Sequence, residues 1–254
     1  MKNKKNFNVK KMAIIGVLGA ISAVLGMTPL GFIPVGPTRA TIMHIPVIIG
    51  AIMEGPVVGA LVGLIFGLFS IFQAMTNPTP VSVVFLNPLV SVLPRILIGV
   101  VTYYVYNSLK KLGKKKTIGI LYILWIGIII YLGKGIYGNI SNSDNLYALL
   151  MNLGLMILTL VAFYITTIKY KGSSLDIILS TIAGTITNTG LVLTLIYLLY
   201  GTMFVEKLGL DPNLTSKIIF GIGVTNGIPE GIIAVIIVSS VVNALRGRKR
   251  IEGE

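Results

Sequence analysis

The chain has 254 residues, of which 54% are hydrophobic and only 11% are charged, and its mean hydropathy is +0.90. A soluble domain of this size cannot bury so much apolar surface, so the sequence predicts an all-α polytopic membrane protein. The absence of cysteine and the single histidine argue against disulfides, thiolate chemistry and histidine metal clusters. We therefore predict no catalytic site, no metal and no cofactor.

Apolar stretches interrupted by Pro, Gly and charged residues predict one membrane domain over residues 1–254 with eight spans. In chain order the predicted spans are residues 12–27, 41–53, 57–75, 81–108, 117–132, 146–168, 177–200 and 215–245. The second span is short for a bilayer that needs about 20 helical residues. Polar segments at 134–145 and 201–214 are predicted to connect spans rather than to cross the membrane.

Basic residues concentrate on one predicted side of the membrane. Of the 21 Lys and Arg residues, 16 lie on the side of the termini, and four (Arg39, Lys134, Lys207 and Lys217) lie on the other side. Cytoplasmic loops carry such an excess of positive charge, so both termini are predicted to be cytoplasmic in a cell membrane. The same distribution accounts for the net charge of +13 without nucleic acid as a partner.

Polar side chains inside apolar segments are costly unless they line a pocket or pair with one another. The candidates for substrate binding are Arg39, His44, Asn77, Asn87, Arg95, Asn188, Asn226 and Glu230. The amides among them suit a ligand with hydroxyl or amide groups, but hydrogen bonds between helices explain them equally well.

The charged candidates each have two interpretations. Arg39 lies in a Pro- and Gly-rich loop, where it either meets an anionic ligand or holds lipid headgroups. His44 either contacts a ligand or caps a neighbouring carbonyl. Arg95 needs either a ligand carboxylate or Glu230, which shares a helix face with Asn226 four residues earlier. A buried Arg95–Glu230 pair and a ligand contact therefore stay open as alternatives.

Small residues at helical spacing mark two close-approach surfaces. Gly16 and Ala20 in the first span create a groove for another helix, either within this chain or on a partner subunit. Glycines 55, 59, 63 and 67 repeat the pattern in the third span, where we expect internal packing.

The order of these pieces resembles the substrate-binding S component of energy-coupling factor (ECF) vitamin transporters. The match is carried by residues 41–70 (TIMHIPVIIGAIMEGPVVGALVGLIFGLFS), 87–99 (NPLVSVLPRILIG), 187–190 (TNTG) and the last span with Asn226 and Glu230. It covers roughly residues 10–109 and 175–247. The resemblance implies a six-helix core within 12–108 and 176–245, and it marks residues 117–168 as an inserted hairpin.

The resemblance also implies a mechanism and partners. An S component binds a small-molecule vitamin from outside. By this resemblance the pocket lies near the outer face, between the loops at 28–40, 76–81 and 201–214 and the outer halves of spans four, seven and eight. It sits in membrane lipid and docks through the Gly16/Ala20 face on a transmembrane scaffold subunit. Two ATPase subunits supply the energy, which agrees with the lack of a nucleotide-binding motif in this sequence.

The charges of the candidate residues indicate which class of vitamin to expect. Two cations, Arg39 and Arg95, face one acid, Glu230, so the site favours a small anionic vitamin such as pantothenate, while folate and other vitamins stay open. The competing interpretations are a self-sufficient secondary permease or channel, a membrane-bound enzyme, and a structural or assembly protein. We expect a transporter component and not an enzyme.

Overall fold

The computed structural model describes residues 9–35, 38–142, 146–164 and 175–251. Its helices are α1 (Val9–Met27), α2 (Ile45–Glu54), α3 (Pro56–Thr76), α4 (Pro88–Ser91), α5 (Leu93–Leu112), α6 (Lys114–Asn142), α7 (Leu146–Tyr164), α8 (Leu175–Lys207) and α9 (Thr215–Ile251). Short 3-10 turns lie at Pro29–Gly31, Ser82–Leu86 and Pro212–Leu214. Strands β1 (Phe32–Val35) and β2 (Thr38–Thr41) form an antiparallel hairpin between α1 and α2.

The predicted helical membrane fold is confirmed. Within the described ranges, six segments are long and apolar enough to cross a bilayer: Val9–Met27, Pro56–Thr76, Pro88–Leu112, Lys115–Ile140, Leu175–Lys207 and Pro212–Gly247. The remaining two predicted spans correspond to shorter apolar helices, Ile45–Glu54 and Ala148–Tyr164. The second span is therefore short, as the sequence indicated.

Two predicted loops are wrong in their extent. α6 continues through most of the 134–145 segment, and α8 continues through the first half of 201–214. No proline occurs between residues 113 and 211, and isolated Lys, Asn or Gly residues do not stop a helix that packing supports. α8 ends instead near Gly209, whose φ of 71° leads the chain into Pro212.

The fourth predicted span is not one continuous helix. It consists of the 3-10 turn Ser82–Leu86, the short α4 and the longer α5. Pro88 and Pro94 each occupy the first turn of a helix, a position that needs no backbone N–H from proline. The resulting offset between α4 and α5 places Arg95 at the start of α5 and the carbonyl of Val90 beside it.

Glycines on α3 allow its close packing against α5, as expected from their spacing. A Cβ on Gly59 would lie 2.9 Å from the Gly99 Cα, and one on Gly63 would overlap the Arg95 carbonyl. Helices gain dispersion contacts at such short separations in lipid, where apolar side chains have no other reason to associate. α3 thus packs between α1, α2 and α5, while α5 packs on α8 and α8 on α9.

α6 and α7 pack mainly against each other and lie beside these helices. Their contact with the remaining chain is an apolar cluster that contains Leu121 and Trp125 of α6, Ala162 of α7 and Ile178 of α8. This arrangement is compatible with the predicted insertion of a hairpin at 117–168. Residues 165–168 lie outside the described ranges.

Candidate functional site

His44 stands at the start of α2, fully buried against α8. Its Nε2 lies 3.0 Å from the Thr185 hydroxyl. Its Nδ1 has no hydrogen-bond partner of good geometry, although the Thr41 backbone lies close enough to interact with the ring. The position of the ring is set by its neighbours, because the Ser22 hydroxyl of α1 donates to the Met43 carbonyl at 3.1 Å.

Glu230 joins three segments of the chain. Its carboxylate accepts the Thr41 N–H at 2.6 Å and the Thr189 hydroxyl at 2.5 Å, so α9 is linked to the end of β2 and to α8. The side chain is 3% exposed. Both carboxylate oxygens therefore have protein donors. Through them Glu230 of α9 holds the end of the β1–β2 hairpin and α8 together.

Arg95 lies in the first turn of α5 and is 5% exposed. Its Nη1 donates to the Val90 carbonyl at 2.7 Å, and its guanidinium carbon lies 5.3 Å from the Phe66 ring centroid and 5.9 Å from that of Phe85. Aromatic faces attract a cation at these distances. Arg95 and Glu230, both among the described residues, form no salt bridge, although their charges attract each other.

Three buried polar atoms in this region have no hydrogen-bond partner among the described residues: Arg95 Nε, His44 Nδ1 and Asn188 Oδ1. They belong to α5, the start of α2 and α8, respectively. Asn226 is also buried, one turn before Glu230 on α9. Buried donors and acceptors are normally satisfied, so unpaired ones indicate a partner that the chain alone does not supply.

The remaining candidates lie elsewhere. Asn77 is exposed at the end of α3, where its side chain contacts Thr76. Asn87 caps α4 by accepting the Leu89 N–H at 2.9 Å, and its amide donates to the Tyr200 hydroxyl at 3.0 Å. Arg39 pairs with Pro34 in the hairpin backbone, but its side chain lies outside the described residues.

Sequence reasoning missed the threonines of this region. Thr41, Thr185 and Thr189 bond the charged or imidazole side chains, yet threonine in an apolar segment is not unusual enough to stand out. Spacing offered one signal, because Thr185 and Thr189 are four residues apart and so lie on one face of α8. The contact between the Phe66 ring and the Arg95 guanidinium was also missed, since Phe66 is one aromatic residue in a long apolar helix.

Comparison with known proteins supports one family. A family model described as "ECF transporter, substrate-specific component" matches residues 10–133. The Pantothenate transporter PanT of Leuconostoc mesenteroides is 32% identical over 162 residues, which cover 63% of this chain and 70% of that protein. The chain belongs to the substrate-specific component family of ECF transporters.

A second relative aligns over nearly the full length. The Pantothenic acid transporter PanT of Lactococcus lactis is 28% identical over 257 residues, covering 95% of this chain and 96% of the relative. The predictions of a multi-pass membrane protein and of ECF family membership are confirmed. The family and both names indicate a transporter rather than an enzyme.

α1 of this S component presents two different small-residue faces. Gly16 and Ala20 are exposed, and a Cβ on Gly16 would meet no atom within 4 Å. Gly19, by contrast, is buried against α3, where its Cβ would lie 2.6 Å from Ile65 Cδ1. The Gly16/Ala20 face is thus free within the described structure, whereas Gly19 serves internal packing.

A large cavity of about 800 Å³ lies between α6, α8 and α9, and none of the three residues with unpaired atoms is among those that line it. Its walls are mostly Ile, Leu, Val, Gly and aromatic residues, and Thr185 and Thr189 connect it to the region of His44 and Glu230. The cavity is lined in part by the outer halves of the seventh and eighth predicted spans, but no residue of the fourth span or of the loops at 28–40, 76–81 and 201–214 lines it. An apolar cavity of this kind does not suit a carboxylate.

Proposed function

We propose that this protein is the vitamin-binding S component of an ECF-type importer and that its substrate is pantothenate. The observation that carries the substrate assignment is the buried guanidinium of Arg95, which has an open Nε and no carboxylate partner. Both reported relatives are named as pantothenate transporters. The names of these two relatives and the positive charge of Arg95 therefore both favour an anionic vitamin as the ligand.

The chemistry of pantothenate matches the unpaired atoms. Its single carboxylate suits Arg95, because a charge-assisted hydrogen bond contributes about 1.5–3 kcal/mol. Its amide and hydroxyl groups suit the Asn188 oxygen and the His44 Nδ1, both of which lack a hydrogen-bond partner of good geometry. Glu230 already bonds two protein donors, so its negative charge is engaged away from the ligand. We propose Arg95, His44, Asn188 and Asn226 as the substrate-contacting set.

We also propose the partner subunits of this protein and its orientation in the membrane. The exposed Gly16/Ala20 face of α1 is the surface that docks on the transmembrane scaffold subunit, and two ATPase subunits complete the importer. The excess of basic residues near the termini supports cytoplasmic ends. The α6–α7 pair is an insertion beside the six-helix core.

Calorimetry on the full-length, ligand-free protein in detergent tests the substrate. We expect tight pantothenate binding and at least about a tenfold weaker affinity for Arg95→Gln, which corresponds to the lower end of one lost charged hydrogen bond. Arg246→Gln is a matched control, because Arg246 lies 5.3 Å from the Tyr106 ring, as Arg95 does from Phe66. That variant should bind like the wild type.

Two results would contradict this proposal. Tight binding of a cationic or neutral vitamin without binding of pantothenate would reject the charge argument. Pantothenate uptake by cells that contain this chain but lack the ATPase subunits would instead identify a self-sufficient permease. Transport that requires the ATPase subunits supports the S-component assignment.

A further inference from the structure

The apolar cavity between α6, α8 and α9 is a groove with an open side. Gly127 and Tyr131 of α6, Leu193 of α8 and Phe220 and Gly227 of α9 are among its lining residues. A Cβ on Gly127 would meet no atom within 4 Å. The groove therefore exists because α6 stands apart from α8 and α9 along this stretch.

The first half of α6 closes one end of this groove. Leu121 and Trp125 are buried in the cluster that joins α6 to α8 and α9, and Trp125 also lines the groove. Farther along α6, Tyr131 forms an edge-to-face pair with Phe220 of α9, and the two ring centroids are 5.8 Å apart. The first half of α6 thus packs on α8 and α9, and the groove extends from Trp125 to the Tyr131–Phe220 pair.

Positive charge lies at the end of the groove formed by the Tyr131–Phe220 pair. Lys134 lies one helical turn beyond Tyr131 on α6, and Lys217 lies one turn before Phe220 on α9. Since α6 and α9 meet at the Tyr131–Phe220 pair, both lysines stand at the same end of the groove. Both are exposed, and the long lysine side chain can reach the headgroup level from inside a span.

We propose that this groove binds an acyl chain of an anionic phospholipid, with the lipid phosphate at Lys134 and Lys217. Lipid is the solvent around an apolar groove in a membrane span, so an acyl chain is the chemically matched occupant. Apolar contact alone gives no preference among lipids, because all acyl chains are equally apolar. The two lysines therefore supply the selectivity for a negative headgroup.

Quenching of tryptophan fluorescence measures this binding directly. Trp125 is the sole tryptophan of the chain and lines the groove, so an acyl chain bound there would hold its bromine atoms close to the indole ring. The full-length protein is placed in phosphatidylcholine vesicles that contain either dibrominated phosphatidylglycerol or dibrominated phosphatidylcholine. We expect phosphatidylglycerol to quench at a lower mole fraction, with about a 30-fold higher relative affinity for two lysines.

Matched variants separate the groove from the rest of the surface. Gly127→Leu fills the groove and should remove the quenching. Gly119→Leu adds the same side chain at another open position of α6 that does not line it, and it should leave the quenching unchanged. Lys134→Gln with Lys217→Gln should abolish the preference for phosphatidylglycerol. Lys115→Gln, at the other end of α6, should preserve it.

Emission in unbrominated vesicles provides the reference intensity for each variant and shows whether Trp125 keeps its environment. Equal quenching by the two brominated lipids in the wild type would overturn the anionic selectivity. Quenching that persists in Gly127→Leu would overturn the groove as the binding site. Neither result depends on whether the protein binds pantothenate.

Discussion

Removal of the Glu230 carboxylate should destabilise the protein strongly. Glu230→Ala leaves the Thr41 N–H and the Thr189 hydroxyl without their acceptor, at a site that is 3% exposed. Hydrogen bonds to a charged group contribute about 1.5–3 kcal/mol each, while removal of a buried charge recovers part of its desolvation cost. We therefore expect a loss of about 3 kcal/mol, near the lower limit for two such bonds.

Glu230→Gln should be much milder. The glutamine carbonyl oxygen can still accept the Thr41 N–H, and its amide can donate to the Thr189 oxygen, so we expect a loss of about 1 kcal/mol. Thermal unfolding in detergent measures both variants. For a chain of this length, about 2–4 °C of Tm corresponds to 1 kcal/mol, which predicts decreases of roughly 6–12 °C and 2–4 °C.

Double-mutant cycles test which contact is responsible. Thr189→Val should cost stability in the wild type and little in the Glu230→Ala background, because the bond is already absent there. Arg95→Gln should couple to Glu230→Ala more weakly than Thr189→Val does, since Arg95 forms no salt bridge with Glu230. Equal losses for Thr189→Val in both backgrounds would refute the role assigned to Glu230, and a larger coupling with Arg95 would indicate a direct ion pair.

Three further predictions concern docking, packing and orientation. Gly16→Leu should abolish transport and preserve vitamin binding and Tm. Gly19→Leu should instead lower the free energy of unfolding by about 1–3 kcal/mol through overpacking. Unfolding of the Gly16→Leu variant would contradict the assignment of the Gly16/Ala20 face as a free surface. Gly63→Ala should weaken both stability and pantothenate binding, because its methyl group displaces the α5 backbone that carries the guanidinium; unchanged calorimetry would contradict this. Asn77→Cys should react with an impermeant maleimide from outside intact cells and Lys115→Cys should not, and labelling of both from outside would refute the orientation.

Most of the fold could be predicted because lipid enforces a simple rule. Every backbone polar group inside a bilayer must be satisfied within the chain, so long apolar segments become helices. The spans were therefore found from hydropathy alone. The ends of the spans were not found in this way, because α6 and α8 continue past isolated polar residues that are typical of loops. Helix ends depend on local backbone geometry, such as the positive φ at Gly209.

The candidate site was only partly predictable, for a different reason. The high cost of charge in hydrocarbon identified Arg95, His44, Asn188 and Glu230 as unusual residues, and all four are buried. Sequence could not tell which of them bond to the chain itself. That distinction depends on the approach of a threonine or a backbone N–H from a segment distant in sequence, such as the Thr41 N–H that reaches Glu230 across 189 positions.

Among the predicted candidate residues, hydrogen-bond satisfaction distinguishes Glu230 and Asn87 from Arg95, His44 and Asn188. The side-chain oxygens of Glu230 and Asn87 accept hydrogen bonds from protein donors, so neither residue needs a further partner. Arg95, His44 and Asn188 each retain a buried atom without one. An unsatisfied buried group costs about 1–3 kcal/mol, and a ligand that supplies all three partners recovers that cost on binding. From this difference we infer that Arg95 binds the substrate, while Glu230 holds the β1–β2 hairpin against the helices that surround the substrate.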